Sequence, residues 1–176
     1  MALKQNRKQK LKKELKQLAV LEAYNAVAFI ALYFFWIWQF QERFSLIAFY
    51  PILLCSIILL QGAAYWKICL ERVKEKKNRG EKTARIFSCF RWLDIFLLLI
   101  YLVILGLQWQ EPQSGWLIFG IGMYVFAIIE YFNYYFIRLS YPVVPFFRRL
   151  AQLDFGKSQI AKEIQDYRRG LARKIK

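Results

Sequence analysis

Four stretches of this chain, 18–38, 46–66, 92–109 and 116–137, are apolar over a length that a soluble core of this size does not need. Each runs to about 18–22 residues, enough for a helix to cross a hydrocarbon layer roughly 30 Å thick. The interruptions are few: Glu22 and Asn25 in the first run, Gln61 in the second, Asp94 near the start of the third, and Glu130 and Asn133 toward the end of the fourth. Hydrophobic residues make up 58% of the chain and aromatics 19%, above the share of a soluble domain, and they are clumped rather than spaced at amphipathic intervals. The sequence therefore predicts an all-α, polytopic membrane protein with four transmembrane helices. At 176 residues it is read as one compact unit.

The links between runs arrange those helices. Segments 39–45 and 110–115 are short, so the first two helices form one hairpin and the last two another. Pro112 and Gly115 supply turn chemistry in the second link. Trp36, Trp38, Trp109 and Trp116 bracket the two turns, where side chains that favour the membrane–water interface belong. Lys and Arg divide unevenly: 7 precede the first run, 9 fall in 67–91, 10 fall in 138–176, and Arg43 alone lies in the short turns. The positive-inside rule then places the N-terminus, the C-terminus and the 67–91 loop in the cytoplasm, in a multi-pass protein of the cytoplasmic (plasma) membrane. The first run is too long for a cleavable signal peptide and lacks a small-residue cleavage site. Cys55, Cys69 and Cys89 fall mid-membrane or at cytoplasmic helix ends, so they are read as thiols rather than a disulfide framework.

Outside the spans, 1–17 reads as a basic helical extension of the first helix, carrying Leu11, Leu15 and Leu18 among lysines. In 67–91 the second helix continues to a break near Gly80 and then leads into the third. The tail, 139–176, begins with Pro142 and Pro145, which end the fourth helix, and Pro145 opens a short helix that stops at Gly156. Ser158 is an N-cap for a final helix. There Ile160, Ile164, Tyr167, Leu171 and Ile175 recur on one stripe against Lys162, Arg168, Arg169, Arg173 and Lys174, the pattern of a basic amphipathic helix suited to an anionic leaflet. A pI near 9.9 also raises nucleic-acid binding. No recognition motif accompanies it, and topology already accounts for basic cytoplasmic segments, so nucleic acid is disfavoured.

The polar residues inside the spans carry the functional question. Asn25 and Glu130 each lie roughly 10 Å inside the cytoplasmic boundary, and Glu22 and Asn133 lie nearer to it. With the first and fourth helices antiparallel neighbours, E-x-x-N in each sets Glu22 against Asn133 and Asn25 against Glu130, so that amides satisfy carboxyls and fasten the bundle. Gln61, Asp94 and Tyr134 complete an intramembrane polar cluster, with Arg91 and Arg138 as cations at its rim. A convergence of Glu22, Asp94 and Glu130 is instead the mark of a proton or cation site, since an ionisable group within the membrane usually faces a bundle interior or a cavity.

Catalysis is disfavoured. The chain has no histidine, the commonest general base and zinc ligand. It shows no nucleophile elbow, P-loop or dinucleotide fingerprint. No catalytic residue, metal site or cofactor is assigned. The leading expectation is a non-catalytic module that binds a membrane or cytoplasmic protein partner, or stabilises a membrane complex, and grips anionic lipid at the cytoplasmic leaflet. The alternative is a small transporter or channel for a proton, cation or small solute, built as a homo-oligomer because four helices leave little room for a path. A lipid-modifying enzyme comes third.

Overall fold

The computed structural model describes residues 2–75, 81–108, 114–136 and 158–175, and every described element is a helix. They are α1 (Ala2–Phe40), α2 (Leu46–Glu75), α3 (Glu81–Gln108), α4 (Ser114–Tyr135) and α5 (Gln159–Ile175). The first four are long and apolar enough to cross a membrane. α1 and α3 run past the apolar stretches into their charged flanks. At 39 residues α1 is about 58 Å long, nearly twice a bilayer's hydrocarbon thickness. Lys, Glu, Gln and Leu are good helix formers, so charge ends a span without ending a helix. Arg138, Tyr141, the Pro145–Gly156 helix and the Gly80 break fall outside the described residues.

The chain divides into two compact units, one of 1–78 with 99–127 and the other of 79–98 with 128–176. α3 and α4 contribute to both, because a helix long enough to span a membrane passes through more than one local cluster. In the first unit α2 is the core helix: 61% of its apolar stretch is buried, against 11% for α1 and 17% each for α3 and α4. Four bonds at three levels zip α1 to α2 and to Ser45 just ahead of it in antiparallel register. Tyr33 Oη donates to the Ser45 carbonyl at 2.9 Å and accepts from Ser45 N–H at 3.0 Å. Ser56 Oγ donates to the Ala26 carbonyl at 2.9 Å. Trp66 Nε1 donates to Glu22 Oε1 at 2.7 Å.

The α1–α2 link is fixed at both ends. Gln41 adopts φ 51°, the left-handed conformation that ends a helix, and Glu42 N–H reaches back to the Ile37 carbonyl at 3.2 Å in a Schellman arrangement. Ser45 opens α2 by accepting from Phe49 N–H at 2.9 Å. Around the Tyr33 hydroxyl pair packs an apolar cluster of Tyr33, Ala48 and Ile52 with Phe29, Phe49, Trp116 and Met123 against it.

Pro51 lies inside α2 and has no N–H for the carbonyl of Ile47 four residues earlier. Tyr101 Oη from α3 donates to that carbonyl at 3.1 Å. α4 closes over the same place at Gly120, where a Cβ would collide with the Ile47 oxygen and stand 2.9 Å from the Tyr101 hydroxyl. Of the small residues on α2, Gly62 and Ala63 are buried and Ala64 is exposed.

The second unit joins the first half of α3, the end of α4 and α5. Ser158 caps α5: its Oγ accepts from Ala161 N–H at 3.0 Å and donates to the Tyr134 carbonyl, while its own N–H donates to Phe136 at 3.1 Å. One residue thus starts α5 and ties it to the end of α4.

Candidate functional site

The polar residues of the spans are divided between the two units of the chain. In the first unit Glu22 is partly buried on α1 and holds the indole of Trp66, an aromatic donor from α2. Gln61 is buried on α2, one helical turn and a half before Trp66. Asn25, expected to face a carboxyl inside the bundle, is exposed on α1, beside Tyr24 at 69% and Val27 at 64% exposure.

In the second unit Asp94 is fully buried on α3, and the Tyr135 hydroxyl donates a hydrogen bond to its carboxylate. Tyr131, one turn before Tyr135, lies within electrostatic range of both Asp94 and Arg91. Arg91 sits over the Trp92 ring at 5.6 Å and the Phe136 ring at 5.8 Å, a cation–π clasp at the end of α4. The helical spacing explains the grouping: Arg91 and Asp94 share a face of α3, and Tyr131 and Tyr135 share a face of α4. Tyr134 is buried, and its carbonyl receives Ser158.

Glu130 and Asn133 lie partly buried on α4, and Asn133 Nδ2 donates to Glu130 Oε2 at 3.2 Å. E-x-x-N at i and i+3 therefore closes a bond within one helix. The sequence reading set amides against carboxyls across helices and did not weigh this spacing, although neighbours three apart meet on any helix surface. It also counted amides as donors and passed over the indole of Trp66.

Of the amphipathic tail, Ile160 and Ile164 are buried at 2% and 3% exposure, and Glu163 lies between them at 7%. Tyr167 is half-buried, and Arg168 and Arg169 are exposed. The first half of the apolar stripe thus packs within the second unit, and the basic face is what α5 presents outward. The Leu171 side chain and Arg138 lie outside the described residues. No group of three or more His, Cys, Asp or Glu side chains is arranged to hold a metal ion among the described residues. Comparison with family models, curated proteins and solved structures returns no match.

Proposed function

We propose that the chain is a small integral protein of the cytoplasmic membrane, with both termini and the 67–91 loop in the cytoplasm, that binds a partner within the bilayer and stabilises a complex without catalysing a reaction. Asn25 carries the reading. It is exposed on α1, roughly 20 Å of helix back from Trp38, which places its amide inside the hydrocarbon layer. Lipid tails offer an amide no hydrogen bond. A facing transmembrane helix with a polar side chain does, and such a bond contributes about 0.6–2 kcal/mol. Exposed Leu21, Tyr24 and Val27 give that partner an apolar margin around the amide. On the cytoplasmic side, the exposed Arg168 and Arg169 of α5 and the basic start of α1 add attraction to anionic headgroups or to an acidic partner surface.

The test is a photo-crosslinking amino acid at Tyr24 in the full-length protein in its native membrane. A discrete protein adduct is expected, lost when Asn25→Leu is combined with it. The same crosslinker at Phe96, exposed at 60% on α3, serves as the lipid-facing comparison. An adduct that survives Asn25→Leu, or lipid adducts alone at Tyr24, would overturn the reading. Deleting the tail is a poor substitute, because Ser158, Ile160, Glu163 and Ile164 are buried and their loss would uncover the second unit. Arg168→Ala with Arg169→Ala isolates the basic face instead.

A further inference from the structure

A cleft of about 1190 Å³ lies in the first unit beside the α1–α2 link, just above the roughly 300–1,000 Å³ typical of small-molecule sites. Its floor is the buried pair Tyr33 and Ile52. Phe29 and Leu32 of α1 form one wall, Phe119 and Met123 of α4 the other. Leu32 is 61% exposed and Phe119 44%, so the cleft opens sideways, toward the surface that lipid covers. Its mouth is different in kind: Gln41, Glu42 and Arg43, all exposed, line it at the link.

Polarity is thus graded along the cleft. From the end of α1 at Phe40 down to Phe29 is roughly 16 Å of helix, about one leaflet's share of a roughly 30 Å hydrocarbon layer. The mouth stands at headgroup level, beside Trp36 and Trp38, and the aromatic floor stands at acyl-chain level. The mouth is also rigid. The left-handed Gln41, the Glu42-to-Ile37 bond and the Tyr33–Ser45 pair fix the link at both ends.

The geometry points to a site for one phospholipid with an amino headgroup, of the phosphatidylethanolamine kind, drawn from the leaflet that meets the α1–α2 link. Two adjacent charges of opposite sign decide the headgroup. Arg43 presents a planar fork suited to phosphate oxygens, and Glu42 accepts from a primary ammonium. An anionic lipid without the amine satisfies only Arg43 and sets its charge against Glu42. A trimethylated ammonium has no N–H to donate. The acyl chains lie along Phe29, Leu32, Phe119 and Met123, held there by packing, since a chain drawn from the leaflet is already out of water.

The measurement is native mass spectrometry of the full-length protein released from vesicles holding equal parts phosphatidylethanolamine, phosphatidylglycerol and phosphatidylcholine. One retained phosphatidylethanolamine per chain is expected, in several-fold excess over the other two. Glu42→Gln should abolish the preference over phosphatidylglycerol, and Arg43→Gln should lower retention of all three lipids, each of which carries a phosphate. Met123→Trp, which fills the cleft, should remove the bound lipid. Glu42→Gln lies on the exposed link, so the proposal stays testable even where the tryptophan variant fails to fold. Retention of all three lipids in proportion to the vesicle would reduce the cleft to ordinary lipid contact and overturn the proposal. Preference for phosphatidylglycerol would overturn the headgroup assignment.

Discussion

Pro51 shows how one residue recruits others. Inside a membrane helix it leaves the Ile47 carbonyl without its usual donor, and a lipid-facing or dry surroundings offers no water to replace it. Tyr101 supplies the proton at 3.1 Å, and Gly120 lets α4 lie against the pair. Tyr101→Phe is therefore expected to destabilise the protein by about 1–3 kcal/mol, the cost of orphaning a buried acceptor. In a Pro51→Ala background the helix regains its own N–H for Ile47, and the same substitution should cost much less. Denaturation in mixed micelles, run as a double-mutant cycle, measures this coupling; equal costs in both backgrounds would show that the hydroxyl serves another purpose. Gly120→Ala should cost about 1–3 kcal/mol through overpacking, while Gly122→Ala, whose Cβ would meet nothing within 4 Å, should change the melting temperature little. In sequence the two glycines look alike, and only the approach of the Ile47 carbonyl separates them. The E-x-x-N pairs were visible too, but visible spacing does not say whether a bond closes within a helix or across two.

Elements were more legible than contacts. Hydropathy over 20 residues reports spans directly because a hydrocarbon layer has a fixed thickness: the runs 18–38 and 46–66 fall within α1 and α2, and the runs 92–109 and 116–137 overlap α3 and α4 up to Gln108 and Tyr135. Their ends were not legible in the same way: α3 begins at Glu81, ahead of the predicted 92, because Glu, Lys and Arg continue a helix without difficulty. Ser158 was readable as a cap from residue type and position. What α5 rests on was not, since a stripe of Ile160 and Ile164 says that one face is apolar and leaves open whether lipid or protein covers it. The cap's place in the structure makes a prediction at this scale. Ser158→Ala removes the acceptor for Ala161 and the donor to Tyr134, and should loosen α5 by about 1–2 kcal/mol. Hydrogen exchange at amides 159–164 should quicken by roughly 5- to 30-fold, at about 1.4 kcal/mol per decade, with α2 unaffected. Exchange that quickens equally in α2 would mean that the substitution unsettles the whole fold.

At the scale of the whole chain, the apolar stretch of α2 is 61% buried and those of α1, α3 and α4 are mostly uncovered, so these three carry most of the exposed apolar surface of the spans. The Lys and Arg distribution supplies what packing alone does not, a direction across the membrane. In the proposed topology 26 of the 27 Lys and Arg share one side, and reversal would carry basic segments of the N-terminus, the central loop and the tail across the bilayer together. The two functional proposals depend on that direction differently. Partner binding at Asn25 needs the amide to lie within the bilayer in either orientation, whereas the phospholipid cleft takes its lipid from the leaflet that meets Glu42 and Arg43. Site-directed thiol labelling reads the direction. Cys69 and Cys89 are replaced by serine, Cys55 is buried and stays silent to an impermeant reagent, and single cysteines are placed at Glu42 or Asn78. In sealed cells an impermeant maleimide should label Glu42→Cys at once and Asn78→Cys only after permeabilisation. The opposite pattern would invert the protein, and would assign the cleft to the cytoplasmic leaflet and the basic face of α5 to the outer one. Labelling of both positions in sealed cells would mean that α2 does not cross the membrane, and the four-span arrangement would fall with it.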